Sequence, residues 1–223
     1  MTFVRFAGCN LSCRWCDTRY AREVGRYFRV ETPPGSKKFV NYDNPVSVAE
    51  LNDHLKYFTD PTISITGGEP LNQADFIEEW LSPGNIEKKI LLETNGTNYN
   101  EVLKIGRFID IFSVDLKLPT STLDRTYWRE HKDFLSNVLT FGREAYVKIV
   151  VTKETQVKDI QEAIKIVTAV NKFIPVVLQP VSETDSFSAC ITEEQVASFA
   201  RLCNLWLSNV SIMRQTHKEE GIL

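Results

Sequence analysis

The run Gly8-Cys9-Asn10-Leu11-Ser12-Cys13-Arg14-Trp15-Cys16-Asp17-Thr18, GCNLSCRWCDT, packs three cysteines into eight residues. The chain's two other cysteines, Cys190 and Cys203, stand far away in sequence. An odd count with three clustered thiols is poor material for a disulfide framework and good material for a metal site in a reducing cytoplasm. Zinc normally takes four protein ligands in a structural site. The only histidines are His54, His131 and His217, and no second Cys-x-x-Cys follows. An iron–sulfur cluster is normally held by four thiolates. Three would leave one iron with an open position, which is where substrate or cofactor chemistry takes place at a metal.

Outward from this loop the chain alternates strand and helix patterns. Thr2–Gly8 reads as a strand leading into the cysteines, and Thr62–Thr66, Lys89–Thr94, Ile109–Leu116, Ala145–Thr152, Pro175–Val181 and Val210–Gln215 read as further strands. All are rich in β-branched and aromatic residues. Ser47 with Glu50, and Thr192 with Gln195, make capping boxes that open helices through about Phe58 and Trp206. Phe76–Leu81, Asn100–Phe108, Leu123–Phe134 and Val157–Val170 supply the other helices. This alternation predicts parallel βαβ units in one α/β domain over residues 1–223, an open or closed barrel. Residues 19–46 interrupt the rhythm with six basic and three acidic residues and a Pro-Pro-Gly turn, as an inserted loop or hairpin would.

The 223 residues, 43% apolar and 25% charged, suit one buried core. A net charge of −3 argues against binding nucleic acid by broad phosphate neutralisation. No run approaches the ~18 apolar residues of a membrane span, and the N-terminus lacks a signal-peptide pattern.

Polar residues collect at the ends of the expected strands. Thr66-Gly67-Gly68-Glu69-Pro70 ends the second, where glycines allow a ligand close to the backbone and an acid can accept from an ammonium. Glu93–Thr97 and Val114–Pro119 end the next two. Asp115 and Lys117 are two apart and so share a face. Gln179 and Ser182 follow the apolar run of the sixth strand. Ligands gather at the C-terminal ends of parallel barrel strands.

The Cys-x3-Cys-x2-Cys spacing with Trp15 before the last thiol resembles the radical S-adenosylmethionine superfamily, and the Gly-Gly-Glu turn agrees. The full set, FVRFAGCNLSCRWCDT, TGGEP and the C-terminal QTHK (Gln215–Lys218), resembles the 7-carboxy-7-deazaguanine synthase family over nearly the whole chain. That resemblance implies a partial (β/α)6-type radical SAM barrel, a [4Fe–4S] cluster, S-adenosylmethionine and Mg²⁺. It implies a lyase that turns 6-carboxy-5,6,7,8-tetrahydropterin into 7-carboxy-7-deazaguanine for the queuosine route, acting as a homodimer. Carried across by motif, Cys9, Cys13 and Cys16 hold the cluster and Thr18 helps bind Mg²⁺. Trp15, Gly68, Glu69, Asp115, Lys117, Gln179 and Ser182 line the S-adenosylmethionine site. Arg5 and Thr66 contact substrate, and His217 reaches it from a C-terminal tail at about 210–223.

Two departures stand out. The family pattern carries a QGEG-like turn ahead of the first strand, whereas Met1 here directly precedes it, and Val-Asp-Leu-Lys replaces the Ser-Pro-Lys of some relatives. Asp-x-Lys also occurs in glycyl-radical enzyme activases, which makes a protein substrate the rival reading. A non-enzymatic iron–sulfur electron-transfer module is the other, though it would have no use for the Gly-Gly-Glu turn. The basic run Arg14, Arg19, Arg22, Arg26, Arg29, Lys37 and Lys38 is an expected docking face for an acidic electron donor such as a flavodoxin.

Overall fold

The computed structural model describes residues 1–182, 187–188 and 190–214. Its main sheet has seven strands: β1 (Thr2–Phe6), β4 (Thr62–Gly67), β5 (Lys89–Thr94), β6 (Ile111–Asp115), β7 (Glu144–Val151), β8 (Val176–Pro180) and β9 (Val210–Ile212). They lie side by side in chain order and every pairing is parallel. This is the partial α/β barrel expected from the sequence.

The connections carry α1 (Val48–Leu55), α2 (Ala74–Leu81), α3 (Val102–Ile105), α4 (Pro119–Thr122), α5 (Trp128–Thr140), α6 (Val157–Asn171) and α7 (Glu193–Asn204). Both expected capping boxes are formed: Ser47 and Thr192 side chains accept from the Glu50 and Gln195 amides, whose side chains accept back. One helix differs from expectation. Leu123 adopts the left-handed conformation (φ 56°, ψ 41°) and closes α4, so no helix runs through it. Pro119 at the first turn starts that short helix, and α5 begins only at Trp128.

The helices cover one face of the sheet. Along the strands Ile63, Ile65, Leu92, Phe112, Val114, Val147, Ile149 and Leu178 are buried with Ile77, Trp80, Ile105, Phe134 and Val167 of the helices in one core. Each such side chain contributes roughly 1.5–3 kcal/mol through burial. In-register partners share a face, so the alternate residues form the other side of the sheet. There β1 presents Arg5 beside Thr66 of β4. Glu93 follows beside Ser113 and Tyr146, then Asp115 beside Lys148, and Gln179 beside Val150. A parallel strand covered on both sides reads as a continuous apolar run. These strands are apolar on the helix side and largely polar on the other, which makes the polar face the wall of an open interior.

Residues 19–46 form a 3-10 turn at Arg19–Ala21 and an antiparallel hairpin of β2 (Tyr27–Glu31) and β3 (Phe39–Asp43). Phe28 stacks on Tyr42 at 5.4 Å, and His54 of α1 lies 4.6 Å from the Tyr42 ring centre. This aromatic trio seats the hairpin on α1.

Candidate active site

The cysteine loop follows β1 and lies against the C-terminal strand ends. Cys13 and Trp15 are buried with Leu11, Tyr127, Val150, Val181 and Phe187, and Cys9 and Cys16 pack against this second, smaller core. Burial pushes the Cys9 and Cys13 thiols above the ordinary cysteine value. Cys9 Sγ accepts from the Leu11 amide at 3.5 Å, and Thr18 Oγ1 lies 3.8 Å from Cys16 Sγ. Among the described residues no three His, Cys, Asp or Glu side chains converge as a single-ion site. Three thiols spread along one loop fit a multi-iron group, where each thiolate takes its own iron, better than one zinc ion.

The loop is held by its surroundings. Arg22 donates to the Cys13 carbonyl and Arg19 to the Arg14 carbonyl at 2.9 Å. Gly8 and Cys9 amides donate to Ala21 and Arg22 carbonyls, and the Gly68 and Glu69 amides donate to Phe6 and Gly8 carbonyls. A Cβ on Gly68 would stand 2.3 Å from the Gly8 oxygen and 2.6 Å from the Ala21 oxygen. One on Gly67 would stand 2.1 Å from the Phe6 oxygen. The Gly-Gly pair therefore brings the β4 end against the cysteine loop; the close approach is of backbone to backbone.

Asn10 completes the clamp from inside the loop. It donates to Thr97 Oγ1 and accepts from Asn95 Nδ2, both at 2.8 Å. Asn95 belongs to the turn after β5, whose amide donates to Glu69 Oε2 at 2.7 Å. Glu69 Oε1 accepts from Thr94 Oγ1 at 2.7 Å and from the Leu71 amide at 3.1 Å. Glu69 is wholly buried. Burial raises its pKa against the opposing pull of these donors. Its carboxylate is thus a strut between the β4 and β5 ends, already satisfied by three donors.

Beyond β6, Lys117 Nζ lies 2.7 Å from Asp115 Oδ2 and 4.6 Å from the centre of the Trp15 ring. Burial opposes the Lys117 charge, yet the Asp115 carboxylate beside it holds its pKa above the ordinary lysine value. Burial likewise opposes the Asp115 charge, and the Lys117 and Lys148 ammonium groups outweigh it, keeping that carboxyl below its usual range. Two buried polar atoms in this cluster, Asp115 Oδ1 and Trp15 Nε1, have no hydrogen-bond partner among the described residues. Leaving such groups unpaired costs about 1–3 kcal/mol each, which makes them candidates for contact with a ligand.

His131 of α5 supports the pair from behind. Its Nε2 accepts from the Lys117 amide at 3.0 Å and its Nδ1 lies 3.2 Å from the Gly96 carbonyl, which sets the tautomer with the proton on Nδ1. Burial, reinforced by the Lys117 charge, lowers its pKa from 6.5 to about 4, so the ring is neutral. In sequence His131 stood out only as a remote zinc ligand.

The structure brings Cys9, Cys13, Cys16, Thr18, Trp15, Gly68, Glu69, Asp115 and Lys117 to one rim, with Arg5 and Thr66 paired beneath it on the polar face. Gln179, one residue before the end of β8, lies on that same face, and half-buried Ser182 follows two residues beyond the strand. His217 lies outside the described residues, as does the rest of Gln215–Lys218. Cys203 is buried among α7 contacts with its thiol pushed up to about 11 by burial, and Cys190 donates to the Val181 carbonyl at 3.6 Å. Sequence reasoning passed over Ser64, Ser113, Tyr146 and Lys148 and took Glu93 only as part of a polar strand end. Their signal was a polar residue at every second position of strands that parallel-sheet logic expects to be apolar throughout.

The radical SAM superfamily profile matches residues 3–167. The 7-carboxy-7-deazaguanine synthase of Geobacter sulfurreducens is 35% identical over 99% of this chain and 89% of its own length. That of Thermococcus kodakarensis is 30% identical over 99% and 88%. Among solved structures, native anSMEcpe with bound AdoMet superposes with a TM-score of 0.60 at 16% identity, covering 95% of this chain and 63% of that one. Streptococcus suis SuiB bound to precursor peptide SuiA gives a TM-score of 0.61 at 14% identity, covering 95% and 48%. The last two likenesses speak for the fold, and the first three findings place the family: the chain belongs to the radical SAM superfamily and, within it, to the family of the 7-carboxy-7-deazaguanine synthases.

Proposed function

We propose that the chain converts 6-carboxy-5,6,7,8-tetrahydropterin to 7-carboxy-7-deazaguanine with release of ammonia. The observation that carries the reading is a three-thiol loop clamped directly above a polar sheet face that begins with Arg5 and Thr66. Relatives bearing that activity in their names match almost end to end, which favours it over an activase or an electron-transfer module.

Cys9, Cys13 and Cys16 would hold a [4Fe–4S] cluster beside the S-adenosylmethionine site. When bound, the two would supply one-electron chemistry for hydrogen abstraction from the pterin. The protein's own part is binding and orientation. Asp115 Oδ1 and Trp15 Nε1, unpartnered among the described residues, would accept from and donate to the cofactor. Lys117 stays charged because Asp115 is beside it, so its ammonium is a fixed positive point at the rim. Gly68 and Glu69 fix the rim's backbone, and Gln179 and Ser182 line its far side. Arg5 and Thr66, on neighbouring strands at one level, suit the polar edge of a pterin, with His217 reaching it from the tail. Thr18 Oγ1, next to Cys16, would give Mg²⁺ one of the oxygen ligands that a hard cation prefers, the substrate carboxylate giving another.

An acidic one-electron donor such as a flavodoxin would approach on the hairpin side. Arg19 and Arg22 donate to loop carbonyls there, and Arg26, Arg29, Lys37 and Lys38 are exposed around the hairpin, where they would face the donor's acidic groups. No helix among the described residues is long and apolar enough to cross a membrane. The clustered free thiols suit a reducing cytoplasm, and the homodimer is carried over from the family alone.

Anaerobic reconstitution with iron and sulfide, reduction, and addition of S-adenosylmethionine, Mg²⁺ and 6-carboxytetrahydropterin tests this. Formation of 7-carboxy-7-deazaguanine supports it. Cofactor cleavage to 5′-deoxyadenosine with the pterin untouched would overturn the substrate, and an intact cluster that cleaves no cofactor would overturn the enzyme.

A further inference from the structure

Arg22 holds the cysteine loop at two of its three thiol-bearing residues. It closes the 3-10 turn at Arg19–Ala21, where its own amide donates to the Arg19 carbonyl at 3.1 Å. Its carbonyl accepts from the Cys9 amide at 3.1 Å, and its guanidinium donates to the Cys13 carbonyl. Ala21 before it is buried and accepts from the Gly8 amide at 2.8 Å. The arginine is therefore fixed against the loop at both ends, by its backbone and by its side-chain tip.

The charge on that tip is uncompensated. Arg14 has Glu154 at 3.6 Å, and Lys117 has Asp115 at 2.7 Å. Among the described residues no carboxylate lies within ion-pair range of Arg22. Arg19, which ties the Arg14 carbonyl, is exposed, whereas Arg22 is half-buried. Salt screens a partly buried charge much less than an exposed one. A neutral donor would also tie the Cys13 carbonyl, so the positive charge is more than that contact requires.

What the charge faces is the group that Cys9, Cys13 and Cys16 would hold. Three thiolates outweigh the positive charge of an oxidised iron–sulfur core, so the site is negative before reduction. One electron from the donor makes it more negative, with no proton taken up. Net charge, hydrogen bonding and solvent exposure set the potential of such a cluster. We propose that Arg22 is a positioning residue whose fixed charge raises the reduction potential of the iron–sulfur site. This rests on the cluster part of the function proposed above and is independent of the pterin.

A redox titration of the reconstituted protein without S-adenosylmethionine tests it. Wild type, Arg22→Gln and Arg22→Lys are reduced with dithionite through small mediators, which need no docking face, and the EPR signal of the reduced cluster is followed with iron content. Arg22→Gln keeps an N–H donor and loses the charge; Arg22→Lys keeps the charge. The reduction equilibrium constant should fall about tenfold in Arg22→Gln, a potential lower by about 59 mV for one electron, and stay within about twofold of wild type in Arg22→Lys. Arg107→Gln, which removes an exposed charge paired with Glu78, should match wild type. A wild-type potential in Arg22→Gln with full iron overturns the proposal, and so does an equal fall in Arg22→Gln and Arg22→Lys. Should Arg22→Gln lose its iron, Arg22→Lys decides: iron and potential kept there show that the site needs the charge, and iron lost there overturns the proposal. A cluster that titrates in a protein making no 7-carboxy-7-deazaguanine sinks the proposed function alone, and wild type that takes up no iron sinks both.

Discussion

Lys117 Nζ and Asp115 Oδ2 meet at 2.7 Å with their side chains only 10% and 11% exposed. A buried ion pair is weak evidence for stability, but breaking one strands a charge. Here the pair has a second consequence. Lys117 uses one oxygen of Asp115, and the other, Oδ1, has no partner among the described residues. That is wasteful for a structural bridge and sensible for a site that waits for a donor.

Lys117→Met should therefore do two things. The buried carboxylate, left with Lys148 at 3.6 Å, should cost about 3 kcal/mol in urea unfolding. S-adenosylmethionine affinity should fall by about tenfold or more, because the fixed cation over Trp15 is gone. Unchanged affinity in a folded variant would remove Lys117 from the cofactor site.

Gly68→Ala tests what the Gly-Gly turn is for. Its Cβ would press on two backbone oxygens, neither of which can turn aside as a side-chain tip could. The cysteine loop should shift and the reconstituted protein should hold far less iron than wild type. Gly25→Ala, whose Cβ meets nothing nearer than 3.7 Å, should hold a normal complement. Equal iron in the two variants would mean that the β4 end does not set the loop.

Arg5 and Thr66 are in-register partners on the polar face. If they bind the pterin, Arg5→Met should leave iron content and S-adenosylmethionine affinity in place. It should lower kcat/KM for the pterin by about 10- to 100-fold, the scale of one lost charged hydrogen bond. A parallel loss of cofactor affinity would instead make Arg5 part of the rim.

Most of the fold was legible because its signals are local. β-branched runs marked the strands, and Ser47–Glu50 and Thr192–Gln195 marked two helix starts that the structure forms. The displaced helix at Leu123 shows the limit, since a left-handed backbone at a leucine has no sequence signature. The site was legible as motifs but not as geometry. Gly67 and Gly68 signalled close approach, and what approaches is the β1 backbone and the 3-10 turn at Ala21, distant in sequence. Glu69 signalled an acceptor, and its three donors come from its own turn and from β5. Lys148 carries no motif at all; it becomes visible only when strand register sets it beside Asp115.

His131 makes the last case, and it is a matter of pH. The ring is wholly buried, with its Nε2 accepting from the Lys117 amide and its Nδ1 directed at the Gly96 carbonyl. Its pKa falls from 6.5 to about 4 on folding, first through burial and then through the Lys117 charge. Between those values the unfolded chain binds a proton that the folded chain refuses. Stability from this group is therefore complete above pH 6.5 and is lost as the pH falls toward 4, by about 3 kcal/mol in all. His131→Gln keeps an acceptor and a donor on the side chain and removes the titration. Wild type should lose about 2 kcal/mol more than His131→Gln between pH 7.5 and pH 5.0 in urea unfolding, after carboxylates common to both are cancelled. Equal losses would show that the histidine is hydrated or charged in the folded state, and the Lys117 amide would then need another acceptor.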